Sequence, residues 1–142
     1  MPAPEPREVF QALVDGVTQQ RWDELPALYA ENTVVEHPFL GTGQRMEGRE
    51  ALRAHFAAAG PLPLKLDARD IEVHQTTDPE VIVAEFVYDG VVTTTGKTFS
   101  LPNIFWMRIR DGLIVESRDY GNHLALAHAT GRVPELLARF DH

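Results

Sequence analysis

The chain has 142 residues, 44% of them hydrophobic, with no cysteine and a formal net charge of −8. That length suits one domain spanning 1–142 and able to bury a core. The missing thiols exclude disulfides, thiolate catalysis and cysteine-ligated metal, and the acidic balance argues against nucleic acid and anionic membranes, which need basic patches. No apolar run is long enough to span a bilayer, and Met1 to Arg7, rich in proline and acid, does not read as a signal peptide. A cytoplasmic location is the default expectation.

Val9, Phe10, Leu13, Val14 and Val17 recur at helical spacing and predict an amphipathic first helix. Trp22, Leu25, Leu28 and Tyr29 extend the pattern into a second short helix, with Asp23 and Glu24 in its first turn. Thr33 to Glu36 reads as a short strand ended by Pro38, and Gly41 to Gly48 as a loop. Arg49 to Ala59 is a third helix, with Leu52 and Phe56 four apart and Gly60-Pro61 as its stop. Leu64 to Gln75 and Val81 to Val92 are strands joined by a turn at Thr77-Asp78-Pro79. A closing hairpin pairs Thr98 to Ile109 with Leu113 to Tyr120. Asn122 opens a helical stretch closed by Gly131, so the core runs over about 7–131, and Pro134 starts a last short helix to Phe140. Helices first, then one strand, a helix and a run of antiparallel strands mean α+β. A long curved sheet wrapped over the N-terminal helices forms a cone, with a cavity where a ligand would sit.

The hairpin turn decides which way the last strand faces. A two-residue Asp111-Gly112 turn would set Ile104 opposite Asp119. A three-residue Arg110-Asp111-Gly112 loop sets Asn103 opposite Asp119, Phe105 opposite Ser117 and Met107 opposite Val115, and this is the register preferred here. Asn103, Phe105, Ser117 and Asp119 then share the face that looks into the cone. A carboxylate there needs a reason, because burying polar groups costs free energy unless they are paired.

Four residues are candidates for chemistry. Asp119, in a partly dry pocket, would have a raised pKa suited to proton transfer at carbon; its structural alternative is capping the helix that follows. Asn103 could orient Asp119 or donate to an oxyanion. Glu85 alternates with Val81, Val83 and Val87 and could be a second inward acid, or Phe86 could face the core instead; both faces are apolar and the period does not decide. His37 ends the first strand beside Glu36, and one of the two must face the cavity. His55, next to Phe56, reads more readily as solvated than as part of the pocket mouth. Phe105, Ser117, Tyr120, Trp22, Tyr29 and Phe56 are the expected contacts of a small apolar or aromatic substrate. His37, His55, His74, His123, His128 and His142 contain no closely spaced ligand pair, so neither metal nor cofactor is expected, with histidines gathered by the fold left open. On the opposite face, Ile104, Trp106 and Arg108 form a surface that a second copy of the chain would cover, giving a homodimer centred on Trp106.

The chain resembles the SnoaL-like, ketosteroid isomerase-like branch of the nuclear transport factor 2-like superfamily. The resemblance rests on Trp22-Asp23-Glu24-Leu25 leading into Leu28-Tyr29-Ala30-Glu31-Asn32, on Gly48-Arg49-Glu50-Ala51-Leu52, and on the tail from Asn103 to Leu124. Asp119, Tyr120 and Asn122 match the acid, aromatic and Asn of the phenazine-biosynthesis relatives, with His123 replacing their Pro. It implies the cone fold and a cofactor-independent isomerase, cyclase or lyase with Asp119 as general acid/base. The same fold also serves ligand-binding and assembly modules without chemistry.

Overall fold

The computed structural model describes residues 2–141. Its elements are helix α1 (Pro6–Thr18), a 3-10 turn (Leu25–Leu28), strands β1 (Tyr29–His37) and β2 (Gln44–Glu47), helix α2 (Arg49–Ala59), strands β3 (Leu64–Gln75), β4 (Val81–Val92), β5 (Thr98–Arg110) and β6 (Leu113–Gly121), and helices α3 (His123–Thr130) and α4 (Val133–Ala138). The six strands form one sheet in the order β2-β1-β6-β5-β4-β3. His142 lies outside the described residues. Among the described residues, no helix is long and apolar enough to cross a membrane.

α1 starts where Pro6 removes an N–H that would lack a partner, and the Glu8 side chain accepts from the Glu5 N–H at 3.4 Å. Its apolar stripe, Val9, Phe10, Leu13 and Val14, is buried against the sheet. α2 buries Leu52 and Phe56 as the spacing predicts. Phe86 of β4 is the hub of the core. Its ring stands edge-on to Phe10 at 5.3 Å, to Phe105 at 5.0 Å and to Tyr88 at 4.9 Å. α3 is capped at its start by Asn122, whose Oδ1 accepts from the Ala125 N–H at 3.0 Å, and at its end by Gly131 in the left-handed region.

Several expectations are corrected. Of the expected second helix only Leu25–Leu28 forms, as a single 3-10 turn, and Tyr29 already belongs to β1, buried as the strand runs beside β6. The Gly41 to Gly48 loop contains β2, which pairs Val34 with Glu47 and His37 with Gln44. Of the five pairings in the sheet, β1 with β6 is parallel and the other four are antiparallel.

The hairpin register is neither of the two considered. Asp111 and Gly112 take φ of 52° and 76°, a two-residue turn that pairs Arg110 with Leu113 and Ile109 with Ile114. β6 then carries one extra residue, Val115, before Arg108 pairs with Glu116. Beyond this bulge Met107 faces Ser117, Phe105 faces Asp119 and Asn103 faces Gly121. The bulge restores the parity that the short turn would have reversed. Asn103, Ser117 and Asp119 are accordingly all buried, at 8%, 2% and 9% exposure, while Ile104 on the opposite face is 45% exposed.

Candidate active site in the sheet cavity

Strand alternation puts Ser117 and Asp119 on the same inward face of β6. The Ser117 hydroxyl donates a hydrogen bond to Asp119 Oδ1. β1 runs parallel beside β6 and ends in His37, whose imidazole turns inward. Its Nε2 lies 3.6 Å from Asp119 Oδ2, and the two side chains are 12% and 13% exposed. His55 from α2 and His123 from α3 flank His37, each with ring centroids 5.6 Å away. His37 Nδ1 and His123 Nε2 are buried without a hydrogen-bond partner.

Burial sets the electrostatics. It pushes the Asp119 carboxyl up to about 7, with the Ser117 hydrogen bond pulling in the other direction. It pulls His37 down to about 4, helped by the nearby His55 and His123. His55 is lowered by burial, and His123 by burial and by the charge of Arg139. Tyr29 and Tyr88 are raised by burial and by the Asp119 charge, so both phenols remain hydrogen-bond donors.

Several of these groups line a cavity of about 180 Å³ under the sheet. Asp119, His37 and His55 supply its ionisable wall. Tyr29 and Tyr88 supply hydroxyls, and Trp22, Phe56, Phe105 and Leu52 supply apolar surface. Trp22 stacks on Phe56 at 6.4 Å, and Tyr29 tilts against the same ring at 6.0 Å. A carboxyl group that titrates near neutrality beside a neutral imidazole can take or give a proton. Phenol donors nearby can stabilise an oxyanion.

Of the residues picked from sequence, Asp119, His37, Phe105, Trp22, Tyr29 and Phe56 line this cavity, and Ser117 supports Asp119 from beneath. Asn103 does not reach the acid. Its register partner is Gly121, and its Nδ2 donates to the Leu101 carbonyl at 2.8 Å. Glu85 faces outward, because the even-numbered set Ile82, Ala84, Phe86 and Tyr88 fills the core; it pairs with His74 at 2.7 Å. Tyr120 also lies off the cavity, edge-on to Phe39 at 5.4 Å. Asn103, Glu85 and Tyr120 instead border a separate open depression.

His55 is exposed, as the solvated reading expects, and it also lines the cavity. Tyr88 was missed, although choosing Phe86 over Glu85 as the inward residue would have found it two positions on. Glu72, His74 and Glu85 bring ligand atoms within 4.8 Å of one another, but on the exposed outer face.

The SnoaL-like domain model matches residues 10–117. An uncharacterized PhzA/B-like protein of Pseudomonas aeruginosa is 35% identical over 108 residues, covering 75% of this chain and 76% of that protein. A Bacillus subtilis structure provisionally named an isomerase superposes with a TM-score of 0.82 at 27% identity, covering 89% of this chain and 93% of that one. A Xanthomonas campestris pv. campestris structure provisionally named a polyketide cyclase has a TM-score of 0.73 at 26% identity, covering 87% and 95%.

Proposed function

Because the chain belongs to the SnoaL-like family, we propose that its cavity is a cofactor-independent acid–base site acting on a small, mainly apolar carbonyl compound. The reaction class is isomerase, cyclase or lyase. Asp119 takes a proton from the carbon next to the carbonyl and returns it to the same skeleton. Tyr29 and Tyr88 donate to the carbonyl oxygen as negative charge develops there. Neutral His37 is the second base. The observation that carries this reading is a buried carboxyl group, raised to about 7, on the wall of an apolar cavity.

The variant Asp119→Asn keeps nearly the same shape and removes the titrating proton. With a substrate found among enones and small cyclic ketones, turnover should fall by about two to four orders of magnitude. Ligand affinity should change far less. Full turnover in that variant would make Asp119 structural. A ligand that binds and is never converted would support the rival reading, a binding or assembly module.

The chain's own outer sheet face supports a second proposal, a homodimer. Ile104 is 45% exposed there, and Trp106 lies beside it with the Arg118 guanidinium 4.0 Å from its ring centroid. A second copy would remove this aliphatic and aromatic surface from water.

A further inference from the structure

A second and larger hollow, of about 640 Å³, lies outside the cavity of Asp119. It is bounded by α3, α4, the segment before β3 and the turn between β4 and β5. Its size is in the range of small-molecule sites, roughly 300–1,000 Å³. Leu62, Leu126 and Leu136 contribute its apolar wall, and Lys97, Arg132 and Arg139 its cations, against one acid, Glu135. None of these three cations forms an ion pair among the described residues, whereas six arginines elsewhere do. The Lys97 ammonium is held over α3 by a hydrogen bond to the His128 carbonyl at 3.4 Å. In a chain with 21 acidic and 13 basic residues, this is a local reversal of charge around an apolar wall.

We propose that this groove binds an organic monoanion with an apolar body, a medium-chain carboxylate in kind, its hydrocarbon against Leu62, Leu126 and Leu136 and its carboxylate toward Lys97, Arg132 and Arg139. The site is separate from the proton-transfer cavity and stands whether or not that reading holds. The mixed lining fits an amphipathic molecule better than a bare anion, because leucine surface gives a small inorganic ion nothing to pack against. It also fits better than a neutral hydrocarbon, which would offer no charge to the three exposed cations that form no ion pair among the described residues.

Calorimetric titration of the full chain with sodium decanoate, and with 1-decanol as its neutral counterpart, tests this. Decanoate should bind, and decanol should bind about tenfold more weakly or worse, the worth of one charge-assisted hydrogen bond. The double variant Arg132→Gln, Arg139→Gln should weaken decanoate by about the same factor and leave decanol unchanged. Leu126→Gln should weaken both ligands. Higher ionic strength should weaken decanoate alone, and this arm uses the unmodified chain, so it decides the matter even where a variant fails to fold. Asp119→Asn should bind decanoate like the unmodified protein, which separates the groove from the inner cavity. The proposal is overturned by absence of decanoate binding, by equal affinity for decanol, or by loss of decanoate binding in Asp119→Asn. It is equally overturned if the arginine variants change the sedimentation of the chain, which would mean that a second copy covers the groove.

Discussion

His37 and Asp119 hold their protons in inverted order. Their reacting atoms are 3.6 Å apart, and an imidazole is ordinarily the stronger base of such a pair. Here burial lifts the carboxyl to about 7 and lowers the imidazole to about 4. Between those values the acid is protonated and the histidine is neutral, so burial outweighs the attraction that would otherwise make them an ion pair.

This inversion makes stability depend on pH with two opposed slopes. From about 4 to about 7 the folded Asp119 keeps a proton that the unfolded carboxyl, at 3.8, has lost, so its contribution falls as pH rises. From about 4 to 6.5 the folded His37 lacks a proton that the unfolded imidazole carries, so its contribution rises with pH. Each slope is about 1.4 kcal/mol per pH unit for one proton. Relative to the unmodified protein, Asp119→Asn should gain stability with rising pH across this window and His37→Gln should lose it. Denaturant unfolding at a series of pH values measures both, and identical profiles for all three proteins would refute the inversion.

A substrate that gives its proton to Asp119 requires the ionised carboxylate. The kcat/KM for such a substrate should therefore rise as pH increases through about 7 and level off above it. A pH–rate profile with its inflection near 4 instead would assign the base to another group, or to an Asp119 that burial does not perturb.

Trp106→Glu should weaken self-association, because a carboxylate would be desolvated at the centre of the proposed dimer contact. Analytical ultracentrifugation at micromolar concentration provides the measurement. If the unmodified chain sediments as a monomer there, the dimer proposal fails before any variant is made.

Phe86→Ala should destabilise the fold by about 3–5 kcal/mol, since it empties the position that Phe10, Phe105 and Tyr88 pack around. It should also loosen the Phe105 wall beside Asp119. Chemical denaturation gives the first effect. A loss under 1 kcal/mol would mean that the three neighbouring rings close the gap.

The long elements were legible because their signals agree. α2 shows its helical spacing, and β3, β4 and β5 are long runs bounded by Gly, Pro or Asp-Gly punctuation. Asp119 was legible as an inward acid even though its expected partner was wrong, since two residues' worth of slip leaves the face unchanged. The bulge was not legible: Leu113, Ile114 and Val115 are apolar in succession, and nothing in three such residues marks one as unpaired. Glu85 lay between two apolar sets, and only the packing of Phe86 under α1 chooses between them. Tyr29 was read as helix because Leu25, Leu28 and Tyr29 have helical spacing, yet the strand takes it by pairing with Ile114 of β6. The histidine cluster joins β1, α2 and α3, a proximity that exists only in three dimensions.

The parallel pairing of β1 with β6 has a consequence for synthesis. The Thr33 hydroxyl donates to the Ile114 carbonyl at 2.8 Å across 81 residues of sequence, one of the longest closures in the molecule. While the ribosome is still making the middle strands, β1 has β2 on one edge but no β6 on the other, and the entropy of that loop must be overcome after β6 emerges. His37 travels with the first partner and Asp119 with the last. The closure that completes the sheet is thus also the event that brings the imidazole to the acid, and a nascent chain carries neither the cavity nor its perturbed protons.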